Sequence, residues 1–319
     1  MKLRIACVQF SPTLGKIEAN IAKVNKLLSG VKKDIDLLVL PELSLTGYNF
    51  SSPNEINPYL EVAHSGPTFN LASELSSKFR CTTIIGYPEK FQNTTYNSAM
   101  VVNESGQLIY NYRKTHLYET DETWGCSENP ERNFSPVTLM LGAEKKPVIT
   151  NIGICMDLNP YKFEAPFNEF EFSILCWKNG SQLVVVPTAW LSSESPSIKE
   201  LLSIEQKKEE GKSWQKKLEL LKDRATPLKL LIDYWIMRFF PFVRHPMNEL
   251  PRRPGITTVV LCNRTGIEDD VLYGGSSSII QFDAEKPDDF NIDLTNPSVN
   301  VLSSAGWASE EVVYHEVEI

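Results

Sequence analysis

Apolar positions along the chain fall into two alternating kinds of run. Leu3–Phe10, Leu37–Leu40, Cys81–Tyr87 and Leu183–Val186 are short and nearly unbroken apolar stretches, the pattern of strands buried on both faces. Between them, Ile17, Ile21, Val24 and Leu28 recur at helical spacing before Gly30, and Leu71, Leu75 and Phe79 share one face after Pro67, so each set predicts a helix. Tyr96–Asn103 and Leu108–Tyr112 flank Glu104-Ser105-Gly106 and predict a hairpin. Further strands are predicted at Val148–Ile154, Ile256–Cys262, Ser277–Phe282 and Val312–Glu318, and a helix over Phe167–Lys178 capped by Gly180. Alternating strands and helices predict an α/β fold around a largely buried mixed sheet. Strand signals run throughout residues 1–319, which favours one domain.

Two segments depart from this rhythm. Ser192–Asp223 is rich in charge, with Gln206-Lys-Lys-Glu-Glu-Gly211-Lys at its centre, and predicts a solvated helix or a surface insertion. Leu228–Phe242 is the most apolar stretch, but Asp233, Arg238 and Pro241 interrupt it. It falls short of the roughly 18 apolar residues of a membrane span and predicts a buried or lid helix.

Composition narrows the classes. With 42% apolar and 23% charged residues, the chain can bury a core and is not a disordered one. Lys plus Arg number 32 against 40 Asp plus Glu, a net charge of −8, which argues against nucleic-acid or anionic-membrane partners. The six cysteines are dispersed without a CxxC pair, and the start, MKLRIACVQF, lacks the layout of a secretion signal. A reduced, cytoplasmic protein is expected. No Cys/His cluster has metal-ligand spacing, so neither metal nor cofactor is expected.

In open α/β sheets ligands gather where strands end, and two polar residues stand there. Glu42 follows Leu37-Leu-Val-Leu-Pro41, and Cys155 follows Val148–Ile154. Glu42 is either a turn residue or a functional carboxylate, because an ionised group in that place is costly unless partnered. Cys155 is either an inert buried thiol or a nucleophile. Lys114, in Tyr112-Arg-Lys-Thr-His-Leu-Tyr118, is either a surface lysine or a buried ammonium. Together they make a workable chemistry: a thiol that needs a base, a carboxylate to serve as one, and a cation for the oxyanion. Among His64, His116, His245 and His315 none stands at an obvious strand end. A Cys-His enzyme is therefore not indicated, and His116 reads as structural.

These residues lie in motifs that resemble those of the nitrilase superfamily: Pro41-Glu42-Leu-Ser-Leu-Thr-Gly-Tyr48, Tyr112-Arg-Lys114-Thr-His-Leu117 and Gly153-Ile-Cys155-Met-Asp157. Tyr96-Asn-Ser-Ala99, Val186-Pro-Thr-Ala-Trp190 and Val259–Gly266 extend the resemblance over most of the chain. Within the superfamily, Cys155-Met-Asp-Leu-Asn-Pro-Tyr-Lys-Phe163 and Tyr234–Phe242 are similar to segments of the fungal N-terminal amidases. That group converts an amino-terminal Asn or Gln of a protein to Asp or Glu, releasing ammonia and exposing a degradation signal.

The resemblance implies a four-layer α-β-β-α sandwich with a Glu42–Lys114–Cys155 site and a thioester intermediate. It implies a Met156 N–H in the oxyanion hole and a second acidic residue that orients the lysine. Glu122 is the first choice for that role and Asp121 the next. A substrate α-ammonium calls for a carboxylate or carbonyl cluster, for which Asp157, Glu122 and Asp121 are candidates. Trp124, Trp190 and Tyr161 are pocket walls or ordinary core aromatics. The superfamily's Arg-Ala-x-Glu-Asn signature is replaced here by the charged insertion and Trp235-Ile-Met-Arg-Phe-Phe, which leaves monomer and homodimer both open. An ω-amidase-like enzyme of small free amides, or a nitrile hydrolase, is the alternative expectation.

Overall fold

The computed structural model describes residues 1–243, 249–251, 255–284, 286 and 298–319, so His245 lies outside the described residues. Two six-stranded sheets form the body. The first contains β1 (Lys2–Gln9), β2 (Leu37–Val39), β3 (Thr82–Phe91), β4 (Thr94–Val102) and β5 (Leu108–Arg113). The second contains β6 (Val137–Leu141), β7 (Lys146–Ile152), β8 (Leu183–Thr188) and β9 (Ile256–Asn263). A short ladder, β10 (Ile267–Glu268) with β11 (Val271–Leu272), follows, then β12 (Ser278–Asp283) and β13 (Val299–Ser304) return to the second sheet. The last strand, β14 (Glu311–Glu318), crosses back to the first. The orders are β14-β1-β2-β3-β4-β5 and β13-β12-β9-β8-β7-β6.

The central strands β1-β2-β3 and β7-β8-β9 are parallel, and the outer ones antiparallel. This is the mixed sheet that the unbroken runs at Leu37 and Leu183 predicted, because a strand covered on both faces has no polar side to present. Leu3, Ile5, Cys7, Leu37 and Val39 of the first sheet meet Leu139, Val148, Ile152 and Val260 of the second in one continuous core. On the opposite face, Ala6, Val8, Leu38 and Leu40 pack on Val24 and Leu28 of α1 (Ile17–Ser29) and Leu71 and Leu75 of a later helix. The short α2 (Pro53–Ile56) comes before that helix, α3 (Pro67–Phe79). After the hairpin come α4 (Glu119–Thr123) and α5 (Glu171–Asn179). Phe172 and Cys176 of α5 join the core on the side of the second sheet. Helices thus flank two facing sheets, the α-β-β-α order the family resemblance implied.

The charged segment forms α6 (Ile204–Leu221), most of it exposed. Gly211 is its one buried residue, packed so closely on the Asp269 carbonyl oxygen that a Cβ there would collide with it. The apolar segment forms α7 (Lys229–Arg238), with Ile232, Trp235 and Ile236 buried. The helix expected over Phe167–Lys178 is shorter. Phe170 has φ 47°, and this left-handed residue separates a 3-10 turn at Phe167–Glu169 from α5. Gly180, also left-handed at φ 83°, caps α5. Among the described residues no helix is long and apolar enough to cross a membrane.

One glycine joins the fold to the chemistry. Gly86 in β3 lies against the turn that carries Glu42, and a Cβ there would stand 2.6 Å from Glu42 Cα and 2.7 Å from the Pro41 carbonyl oxygen. Both are backbone atoms and cannot rotate aside. Gly86→Ala should therefore destabilise the protein by about 1–3 kcal/mol and displace Glu42. Chemical denaturation together with an amide-hydrolysis assay would check this. Full activity with unchanged stability would contradict the packing described.

Candidate active site

Residues from five strands and their ends converge at one edge of the sandwich. Glu42 stands just past β2, Asn97 within β4 and Lys114 directly after β5, all in the first sheet. Cys155 comes three residues after β7 and Ala189 one residue after β8, in the second. Backbone bonds hold the glutamate turn to its neighbour: Gly86 N donates to the Pro41 carbonyl at 3.1 Å and Ser44 N to the Gly86 carbonyl at 3.0 Å. Leu43 and Cys155 both have φ 42°. A side-chain-bearing residue in the left-handed region is strained. Here it turns the chain sharply right after the Glu42 strand, and at the thiol itself.

The buried charges form one cluster. Lys114 Nζ donates to Glu42 Oε1 at 2.7 Å and to Asp121 Oδ2 at 2.6 Å, with all three side chains at zero exposure. Asn97 Nδ2 donates to Glu42 Oε1 at 2.7 Å and to Asp121 Oδ1 at 2.9 Å, so it bridges the two carboxylates. The Ala189 N–H donates to Glu42 Oε2 at 2.8 Å and the Tyr118 N–H to Asp121 Oδ2 at 2.9 Å. Burial pushes the Glu42 carboxyl up, and Asp121 adds to this, while Lys114 and Asn97 pull the other way. Burial opposes the charge on Lys114, but Asp121, Glu42 and Cys155 outweigh it and hold the ammonium well above its ordinary value. Two of the three ammonium N–H groups are taken by carboxylates, which leaves one for a further acceptor.

Cys155 is partly exposed, and the surface it shows faces a cavity of about 530 Å³. Burial and the Glu42 charge push its thiol well above the ordinary value, against Lys114 and the Ala189 N–H. At rest the sulfur is therefore protonated, and it needs a base. Cys155, Met156 and Ala189 line the cavity together with Tyr48, Tyr118, Asn159, Trp190 and Tyr234. Tyr234 OH donates to Asn159 Oδ1 at 2.6 Å. Tyr48 is held by Glu268, which accepts from the Tyr48 N–H at 3.2 Å and the Asn49 N–H at 2.9 Å and also binds Arg264 and Tyr273.

The other expected site residues divide. Met156 and Trp190 line the cavity. Glu122 is exposed, and Asp121 occupies the place beside Lys114. The cause is local: α4 is one short turn that directs Asp121 inward and turns its neighbour to solvent. Asp157 does not face the cavity either. Its carboxylate accepts from the Ile154 N–H at 2.7 Å, the His116 N–H at 2.8 Å, the Thr115 N–H at 3.0 Å and Tyr112 OH at 2.8 Å. It ties the residue before Cys155 to the residues after Lys114. All of these partners come from the protein itself, and Asp157 is buried among them. Trp124 is buried among Leu43, Tyr48 and Phe50, beneath the cavity wall. Tyr161 sits outside the lining, its OH donating to Glu128 at 2.6 Å and its ring edge-on to His116. His116 itself is buried, with Nδ1 3.1 Å from the Asn159 carbonyl oxygen. Among the described residues no cluster of three or more His, Cys, Asp or Glu could hold a metal.

Residues 4–159 match the carbon-nitrogen hydrolase family. The chain is 30% identical, over its whole length and 95% of the relative's, to the protein N-terminal amidase of Saccharomyces cerevisiae. The chain belongs to the carbon-nitrogen hydrolase family. It is similar to the crystal structure of an N-terminal amidase with an Asn-Glu-Ala peptide, at 30% identity and TM-score 0.88, covering 99% of this chain and 97% of that one. A structure of N-terminal amidase with a Gln-Val peptide matches at 28% identity and TM-score 0.87, with the same coverage.

The placement of the two acidic neighbours is testable. Asp121→Ala strips Lys114, Asn97 and the Tyr118 N–H of a buried partner and should cost about 3–5 kcal/mol. Glu122→Ala, at an exposed position, should change stability by less than about 0.5 kcal/mol. Urea denaturation of the two variants would check this, and equal effects would contradict it.

Proposed function

We propose that this chain is a protein N-terminal amidase, which hydrolyses the side-chain carboxamide of an amino-terminal Asn or Gln to Asp or Glu with release of ammonia. One observation carries the reading. A thiol that lines a largely apolar cavity adjoins a buried carboxylate–ammonium pair, in a chain that matches N-terminal amidases over nearly its whole length. That full-length match to amidases solved with Asn and Gln peptides favours this reading over the small-amide and nitrile alternatives.

Glu42 takes the proton of Cys155. Burial raises both groups, so moving a proton between them exchanges one disfavoured anion for another, with Lys114 beside both. The thiolate attacks the carboxamide carbon. The oxygen that becomes negative is held by the free N–H of Lys114 and by the Met156 N–H. Met156 belongs to the 3-10 turn Cys155–Leu158, and the first N–H groups of a helical turn lack partners within it. Donors fixed in a dry site stabilise such an oxyanion without rearrangement. Glu42 returns its proton to the departing nitrogen, ammonia leaves, and a thioester remains on Cys155. Glu42 next deprotonates a water that attacks the thioester, and the carboxylic acid and the free thiol are released.

Asp121 and Asn97 are positioning residues here, since they touch Glu42 or Lys114 instead of the reacting atoms. Cys155→Ser should lower ammonia release from a short Asn-initiated peptide about a thousandfold or more. The Nα-acetylated form of the peptide should be turned over poorly by the unaltered enzyme. Near-normal activity of the serine variant would remove Cys155 from the reaction. Equal turnover of both peptides would make this a general amidase.

A further inference from the structure

We infer that Arg238 is a positioning residue for the reaction: its guanidinium spans the Leu158 and Phe167 carbonyl oxygens and so fixes the turn that presents Cys155 and the Met156 N–H. The inference rests on the function proposed above and deepens it. The 3-10 turn Cys155–Leu158 is held at its start by Asp157, whose carboxylate accepts from the Ile154 N–H. The left-handed φ of 42° at Cys155 is strained and persists only where its surroundings over-determine it. α7 secures the other end. Arg238 Nε donates to the Leu158 carbonyl oxygen at 2.6 Å, and Nη1 to the Phe167 carbonyl oxygen at 2.5 Å. About one helical turn earlier, on the same face of α7, Tyr234 OH donates to Asn159 Oδ1 at 2.6 Å. The Asn159 N–H in turn donates to the Met156 carbonyl at 2.9 Å. Two consecutive residues that close the turn, Leu158 and Asn159, are thus gripped from one helix.

The cost of this arrangement points to function. Arg238 is 2% exposed. Glu171 Oε2 stands 3.8 Å from Nη2, beyond a hydrogen bond. Burial pulls the Arg238 pKa below its ordinary value, and Tyr234 and Glu171 only partly oppose it. The guanidinium carbon is 4.7 Å from the ring centre of Phe167 and 5.0 Å from that of Phe170. An apolar side chain of similar volume would fill this space without the cost of a buried charge. It would lack a rigid planar donor that holds two carbonyls from separate segments at once. Those segments are the turn that follows β7 and the 3-10 turn Phe167–Glu169. The same helix lines the cavity with Leu230, Leu231 and Tyr234. The cavity wall and the turn bearing the oxyanion donor therefore share one support.

The test separates ground-state binding from transition-state binding. kcat and KM are measured for ammonia release from Asn-Val-Ala-Gly, with inhibition constants for two analogues. One is the product, Asp-Val-Ala-Gly. In the other, the first side chain ends in an aldehyde instead of the carboxamide. Cys155 adds to that aldehyde: a C–S bond forms, the thiol proton moves to the former carbonyl oxygen, and this oxygen occupies the place of the oxyanion. In Arg238→Met, kcat should fall about 10- to 100-fold, while KM stays within about twofold. The aldehyde should lose affinity by the factor lost in kcat, and the product should lose none. Arg238→Lys keeps the charge and most of the bulk. It should show the same split to a smaller degree, since a single ammonium does not reproduce the planar fork. Glu171→Gln, beside the guanidinium but not bonded to the Cys155 turn, should leave all four constants unchanged. An unaltered kcat in Arg238→Lys, or equal losses of aldehyde and product affinity, would overturn the inference while leaving the proposed function standing. Failure of the unaltered enzyme to release ammonia from the peptide would overturn the function and this inference with it.

Discussion

An ammonium with two carboxylates, all three withdrawn completely from water, is the constraint on which the site depends. Each charge would be prohibitive alone, and the group survives burial because every member is paired and hydrogen-bonded. Lys114 bridges Glu42 and Asp121 and offsets one of their two charges, while Asn97, the Ala189 N–H and the Tyr118 N–H donate to the same carboxylates. The partners come from strands of both sheets. The face-to-face packing that makes the hydrophobic core thereby also completes the cluster, and a shift of one sheet against the other would cost Glu42 Oε2 its Ala189 donor.

A second clamp fixes Cys155 within that frame. Asp157 gathers N–H groups from both sides of the site and ties the turn at Cys155 to the loop after Lys114. The left-handed backbone at Leu43 and Cys155 belongs to the same economy of space. Each residue turns the chain abruptly where a strand has just ended, and the surrounding bonds over-determine the strained conformation. The cavity beside this frame is different in kind, with mostly aromatic and aliphatic walls and the polar Asn159–Tyr234 pair among them.

Much of the fold was legible because burial leaves a plain signature. The apolar runs at Leu37 and Leu183 became central parallel strands, and the turn residues Glu104-Ser105-Gly106 became the link between β4 and β5. β6 and β13 were not read, since as edge strands they carry half-exposed, mixed sequences. Glu42, Lys114 and Cys155 stood out as polar residues beside apolar runs, and the structure brings Glu42 and Lys114 into contact next to Cys155. Which of two adjacent acids faces Lys114 was not readable, because a single helical turn decides between Asp121 and Glu122. Asn97 entered the sequence reading only as part of the Tyr96–Ala99 resemblance, since its two carboxylate partners are 55 and 24 residues away. Asn159 and Tyr234 meet across a separation of 75 residues, for which spacing along the chain gives no cue.

The central claim is that the buried Glu42–Lys114 pair serves covalent chemistry at Cys155, and a trapped intermediate tests it most directly. The enzyme would be mixed with excess Gln-initiated peptide, quenched in acid within the first turnover, digested and examined by mass spectrometry. The account predicts an adduct on the Cys155 fragment with the mass of the peptide less one ammonia, absent when Glu42 is replaced by Gln. Rapid product formation with no adduct at Cys155, or an adduct on another cysteine, would contradict it.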